Sequence, residues 1–349
     1  MSSGDARELI FKYLEFIGIK GYEAKAYLTL LKYGEETAPK LATRAGIPLP
    51  RIYDVLETLS RKGLVEVKAG RPRIYRALPP SLALTRYVKS YIEEVLEMNK
   101  RIMNELEKIY GSRESHEPYI WLSHSLEASI ERTREWIKKM RVDGYASLNN
   151  NLVKELASTL GRKLKNNKEI TFSLTLLEKP KKNTYEELEK IDNLMILLQP
   201  TGFINMYEQD LSHAALFGDN YTLFTTENEL LIILNDTYYY GYWRSAEILK
   251  PLNIKRGDTY KTMHQWLAVS IIKDALSQGY TVELYVTGYR ARDRKPVEIK
   301  GYAKSVYKSA DDRTRTIYIE TPRGEKVSVG GIGASREDVE ARFMEIKIT

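Results

Sequence analysis

The stretch from Glu36 to Leu64 constrains this chain more than any other. ETAPKLATRAG reads as a short helix. Thr37 stands where an N-cap belongs, Pro39 suits a first turn whose amides have no helical partner, and Gly46 ends it. Three residues later, with Pro50 in its first turn, a second helix opens. Its residues Ile52, Val55, Leu56 and Leu59 repeat at the three-and-four spacing of one buried face. Two helices joined by so short a glycine turn predict a helix-turn-helix. The opposite face of the second helix carries Arg51, Asp54, Thr58 and Arg61, and is either solvated or laid against a ligand.

The surroundings decide between the two. Helical periods upstream predict a helix over about Asp5–Ile17, with Leu9, Ile10, Tyr13, Leu14 and Ile17 inward. A second covers YEAKAYLTLLKY, with Tyr22, Ala26, Leu30 and Leu31 inward. Downstream, Leu64-Val65 and Ile74–Ala77 flank a Gly-Arg-Pro-Arg tip, the pattern of a small hairpin. Helix-turn-helix plus hairpin is a winged helix, whose second helix enters the DNA major groove. Charge agrees. The net charge is +7, and residues 1–80 hold 14 Lys/Arg against 9 Asp/Glu, so most of the excess lies there. Arg51 and Tyr53 are therefore expected at base edges. Lys40, Arg44, Thr58, Arg61, Arg71 and Arg73 are expected along the same surface, the cations mainly on phosphate.

The run from Gly21 to Pro80, above all YEAKAYL, GIPLPRIYDVL, KGLV and GRPRIYRALPP, resembles the N-terminal domain of the TrmB family of archaeal sugar-sensing transcriptional regulators. The resemblance implies an operator-binding protein that answers to a sugar effector, such as maltose, trehalose, glucose or maltodextrin.

After Pro79-Pro80, with Ser81 as a cap, Leu84, Val88, Tyr91, Val95, Met98 and Ile102 alternate by four and three. That is the spacing of a coiled-coil seam. Residues 81–111 are thus expected to pair two copies into a homodimer, since DNA readers bind two half-sites by dimer symmetry.

From about His116 to Lys250, strand-like runs (PYIWLSH, YASLN, ITFSLTLLE, LMILLQ) alternate with amphipathic helices, which predicts an α/β layer. The middle domain of TrmB-type regulators resembles the phospholipase D fold, whose enzymes carry H-x-K-x4-D. Counted from His213, the Lys place is Ala215 and the Asp place is Asn220. A phosphoryl-transfer site without its cation lacks the electrostatic stabilisation the chemistry depends on. The fold is expected without the reaction, and His213 as a strand residue rather than a nucleophile.

Beyond the helix in HQWLAVSIIKDALSQGY the texture is all-β, which predicts a small sandwich or barrel. Between the last two strands, GGIGASREDVEARF reads as a glycine turn feeding a short acidic helix capped by Ser335. Arg336 occupies the third position of GxGxxG, so a dinucleotide site is not expected. By resemblance, a Gly and a downstream Glu of the family's sugar site fall on Gly331 and Glu337; the family's Ser and Asn have no clear match. Tyr240 and Trp243 are further candidates, as aromatic rings stack on pyranose faces.

Cys is absent and the four His are scattered, so disulfides, thiol nucleophiles and zinc sites are not expected, and neither is a cofactor. No apolar run approaches a membrane span, and a cytoplasmic protein without membrane contact is expected. Together these readings predict a multidomain α+β chain. It would comprise a winged helix-turn-helix (1–80), a coiled-coil helix (81–111), a phospholipase D-like α/β domain without the catalytic motif (112–250) and a small C-terminal β domain binding sugar (251–349). The expected function is sequence-specific transcriptional regulation, with repression relieved by sugar. The alternatives are a phospholipase D-like phosphodiesterase with a DNA-binding domain, or an architectural DNA binder with a vestigial sensor.

Overall fold

The computed structural model describes residues 3–111, 119–180 and 186–349. Ser112 and His116, at the expected boundary between linker helix and middle domain, lie outside them. The chain forms two compact units, Met1–His116 and Glu117–Thr349.

The first unit opens with α1 (Ser3–Phe16) and α2 (Tyr22–Tyr33), then β1 (Glu36–Thr37), α3 (Ala38–Ala45) and α4 (Leu49–Arg61). The hairpin β2 (Val65–Lys68) and β3 (Ile74–Ala77) follows, and β3 also pairs with β1. Gly46 takes the left-handed conformation, φ 65°, and its amide donates to the carbonyls of Ala42 and Thr43, which ends α3. Ile52, Val55, Leu56 and Leu59 are buried against Leu30, Leu41 and Tyr27, so the apolar stripe fixes how α4 lies on the core. The stripe expected of α1 is only half used. Leu14 and Ile17 reach the core, whereas Leu9, Ile10 and Tyr13 are exposed. Helix α1 packs on α2 alone among the larger contacts, so one edge of its apolar face finds a surface. Tyr22 and Leu31 of α2 likewise stay partly exposed.

Helix α5 (Pro80–Gly111) runs 32 residues. It starts at Pro80, with the Pro79 carbonyl accepting from the Ala83 amide at 3.0 Å, so Ser81 lies inside the first turn instead of capping it. Leu84, Tyr87 and Val88 pack on the winged-helix core. Farther along, Tyr91, Ile92, Val95, Leu96, Met98, Ile102, Met103 and Leu106 are all exposed in the single chain.

The second unit continues with β4 (Ile120–Ser123), α6 (Leu126–Lys139), β5 (Asp143–Leu148), α7 (Asn150–Asn166), β6 (Thr171–Leu176), α8 (Glu186–Glu189), β7 (Leu194–Leu198), β8 (Asn205–Gln209), β9 (His213–Phe217) and β10 (Thr222–Thr225). Next come α9 (Asn228–Tyr238), a π-helical turn (Tyr239–Trp243) and β11 (Glu247–Lys250). These strands form one sheet in the order β11-β7-β6-β5-β8-β9-β10-β4, parallel only across β5, β6 and β7. The parallel strands are buried on both faces, and β7, Leu194–Leu198, is accordingly an unbroken apolar run. Their alternation sends Ala146, Leu148, Leu194 and Ile196 to the face covered by α6 and α7. Tyr145, Met195 and Leu197 face the other way, into a second core shared with the remainder of the unit.

That remainder is β12 (Thr259–Thr262), α10 (Gln265–Ser277), β13 (Val282–Arg290), β14 (Pro296–Lys308), β15 (Arg315–Glu320), β16 (Lys326–Gly330) and β17 (Val339–Ile348). Strands β17, β13, β14, β15 and β16 pair in turn, and β16 pairs back on β17, closing a small barrel on which α10 packs. The short helix expected after Ser335 is not formed. Asp338 accepts from the amide and hydroxyl of Ser328, and this tie draws the segment along the barrel wall into β17.

Candidate nucleic-acid interface and effector cavity

In the first unit, Arg51, Tyr53 and Arg61 stand exposed on α4, Lys40 on α3, and Arg71 and Arg73 at the hairpin tip. Among the described residues, Lys40, Arg51, Arg61, Arg71 and Arg73 make no ion pair, so five cations on one helix-turn-helix and its wing remain open to an anionic partner. Thr58 turns its hydroxyl to the Asp54 carbonyl at 3.0 Å. Arg44 departs from expectation. It pairs with buried Glu36 at 2.5 Å and lies 4.6 Å over the Tyr33 ring, so it fixes the start of α3 instead of standing free.

In the second unit, a cavity of about 270 Å³ opens where α9, the first turn of α10, the β14–β15 turn and the segment 331–337 converge. Glu337 enters it with Oε1 accepting from Thr316 Oγ1 at 2.7 Å. Gln265 Nε2 donates to the carbonyls of Arg315 and Val329, both at 3.0 Å, which leaves its Oε1 buried without a donor. Trp266 Nε1 donates to Asn235 Oδ1 at 2.9 Å. Arg315 lies 4.0 Å over the Tyr239 ring and donates to the Asp312 carbonyl. Amides, carboxylates and guanidiniums converging beside an indole are the equipment for a hydroxyl-rich ligand. A more open trough of about 890 Å³ at the barrel end shares Ser335 and Glu337, but its polar rim (Arg290, Arg292, Lys300, Arg323) is exposed.

The glycine pair before this segment has a steric purpose. A Cβ on Gly330 would stand 2.9 Å from the Glu337 carboxyl carbon, and one on Gly331 would stand 2.8 Å from Gln265 Cβ. The absent side chains let both polar groups close on the cavity.

One lining residue, His264, belongs to a buried charge cluster. His264 Nδ1 lies 2.6 Å from Asp143 Oδ2, and Nε2 lies 3.1 Å from Glu208 Oε2 without the alignment of a hydrogen bond. Burial opposes charge on His264, yet the two carboxylates overcome it and push its pKa up to about 10. Burial pushes Glu208 up to about 7 against the pull of His264. The cluster ties β5 and β8 of the large sheet to the residue that precedes α10.

Of the residues proposed from sequence, Gly331 and Glu337 line the cavity, while Tyr240 and Trp243 do not. The π-helical turn packs Trp243 against the core, stacked 5.4 Å from Tyr239 and tilted 5.1 Å from Trp266. It leaves Tyr240 half-exposed with its hydroxyl on the Asp312 carbonyl. Gln265, Asn235, Asp236 and Trp266 were not anticipated. The signal for the first and last was present in HQW, a polar and an aromatic residue placed just where a helix begins. His213 is half-buried on β9, its ring 4.9 Å from Trp136, and burial first, then Arg132 and Lys139, lower its pKa. Ala215, at the lysine place, is fully buried.

Two family models match the chain. That of the sugar-specific transcriptional regulator TrmB covers residues 14–81, and that described as TrmB/TrmBL1, EBD C-terminal subdomain, covers residues 258–349. Among curated relatives, the HTH-type sugar sensing transcriptional regulator TrmBL1 of Pyrococcus furiosus is 28% identical over 95% of this chain and 97% of its own. The DNA-binding HTH-type transcriptional repressor TrmBL2 of Thermococcus kodakarensis is 25% identical over 65% of this chain and 92% of its own. A solved structure of TrmBL2, described as an archaeal chromatin protein, aligns with a TM-score of 0.49 and 20% identity, covering 69% of this chain and 100% of that one.

Proposed function

The chain belongs to the TrmB family of sugar-specific transcriptional regulators, and from that premise we propose that it grips an operator through α4 and the wing, with its hold on DNA set by a sugar in the cavity of the second unit. The observation that carries the reading is the set of five exposed, unpaired cations on α3, α4 and the hairpin tip. In a winged helix these positions face base edges and phosphates. The exposed apolar length of α5 supports a homodimer through residues 81–111, since a face of this size is unfavourable in water until covered. The large sheet would be a phospholipase D-like layer retained for architecture, with Ala215 in place of the cation the reaction needs, so that no enzymatic activity accompanies the regulation.

The sugar acts through differential affinity: it releases DNA only if it binds the DNA-free arrangement more tightly. Repression relieved by sugar is the sign we propose. The test is fluorescence anisotropy of the full chain on operator fragments selected from genomic DNA, with and without a panel of neutral and anionic sugars. One sugar should shift DNA affinity by about tenfold or more, a coupling of about 1–3 kcal/mol. If no sugar changes either DNA affinity or melting temperature, the sensor reading fails.

A further inference from the structure

Resting on the reading of the cavity as a sugar site, we infer that its ligand is an anionic sugar, a hydroxyl-rich molecule carrying one phosphate or carboxylate group, rather than a neutral one. The groups lining the cavity carry an excess of positive charge. Arg313, Arg315 and Arg336 line it, against Asp236 and Glu337, while His264, also in the lining, is engaged by Asp143 and Glu208. Of the three guanidiniums, Arg315 is held by Asp312 and Tyr239. The other two are uncommitted: Arg313 has only an exposed contact with Asp311 at 3.8 Å, and Arg336 makes no ion pair among the described residues. They reach the cavity from separate segments, the β14–β15 turn and the loop before β17, so an anion between them would be held from two sides.

The second observation is independent of side-chain charge. Helix α10, 13 residues long, starts at the cavity with Gln265 and Trp266 in its lining. His264 in the N-cap position gives no side-chain cap, and the amides of Gln265 and Trp266 donate to no acceptor among the described residues. An uncapped helix N-terminus offers exposed N–H groups and a positive dipole end to an anion. Meanwhile Glu337, Gln265 Oε1 and Asn235 supply acceptors and donors that inorganic phosphate alone would not need. The two sets together describe a sugar ring with a charged substituent.

The test uses calorimetric titration of the full chain with a hexose, its 6-phosphate, the matching hexuronate and inorganic phosphate. One of the two anionic sugars should bind about tenfold more tightly than the parent hexose, a difference that shrinks with added salt. In the double variant Arg313→Ala/Arg336→Ala, both positions being exposed, that preference for the anionic sugar over its parent hexose should fall to within about twofold. Phosphate and carboxylate arms separately report which anion is read. Equal or tighter binding of the neutral hexose overturns the inference and leaves the sugar reading standing. Inorganic phosphate binding as tightly as the hexose phosphate overturns it too, since no sugar is then recognised. Binding by none of the four overturns this inference, while the sugar reading is decided by the wider panel.

Discussion

Gly331 and Gln265 meet so closely that a Cβ at position 331 would stand 2.8 Å from the Gln265 Cβ and 3.3 Å from its Cγ. Gln265 has little room to yield, because its amide nitrogen is tied to two carbonyls of the barrel. Gly331→Ala is therefore expected to push segment 331–337 off α10, costing about 1–3 kcal/mol as overpacking does. It should also lower sugar affinity by about tenfold. Urea unfolding and the sugar-induced rise in melting temperature measure the two effects, and unchanged sugar binding would show that the segment does not touch the ligand.

His264→Gln removes a cation from between two buried carboxylates. Leaving Asp143 and Glu208 without it is expected to cost about 3–5 kcal/mol, read by urea unfolding at neutral pH.

The same cluster sets a pH dependence. His264 ordinarily titrates at 6.5 and in the fold at about 10, so its contribution is full below pH 6.5 and is lost as pH rises through 10. Glu208 moves from 4.5 to about 7, so its protonated form favours the fold and that contribution fades between those values. Both signs agree: stability should fall from pH 5 to pH 10, and His264→Gln should flatten the upper half of the decline.

On DNA, Arg51→Ala is expected to cost about 1–3 kcal/mol on the operator and less on random sequence, as loss of a base contact does. Arg73→Ala should weaken both and reduce the salt slope by about one. Arg44→Ala should leave the salt slope alone and destabilise the first unit, since it strands Glu36. Binding isotherms at several salt concentrations separate the three, and equal losses for Arg51→Ala on both DNAs would refute the division.

Val95→Glu combined with Ile102→Glu places two like charges per helix on the exposed stripe of α5. Light scattering should show the chain shifted to monomer, with operator affinity lowered by about tenfold or more as half-site pairing is lost.

Much of the first unit was legible because its determinants lie a few residues apart: the stripe Ile52, Val55, Leu56, Leu59, the stop at Gly46 and the turn at Gly70-Arg71-Pro72. The apolar edge of α1 was misjudged because periodicity shows that a face is apolar, not that a neighbour exists to cover it. In the second unit, Gly331 and Glu337 were placed by resemblance, and their steric reason appears only with Gln265 beside them. Tyr240 and Trp243 do not line this cavity, because the π-helical turn carries Trp243 toward the core and leaves Tyr240 on the Asp312 carbonyl, a placement that aromatic character alone does not encode. The expected cap at Ser335 lost to Asp338, whose partner Ser328 sits on the neighbouring strand. The tie of Arg44 to Glu36 went unread because nothing local announces that Glu36 is buried.

The sequence by itself determined the winged helix and the long amphipathic α5, because helix caps, turn residues and three-and-four spacing act between near neighbours whatever the rest of the chain does. It also determined, through Ala215, that the phosphoryl-transfer motif is incomplete. Tertiary structure alone decided the cavity lined by Gly331 and Glu337 and the charge cluster beside it. His264 meets Asp143 across 121 residues of chain, and Gln265 meets the carbonyl of Val329 across 64. Such contacts depend on two elements arriving at hydrogen-bonding distance, and no periodicity along the chain encodes that meeting.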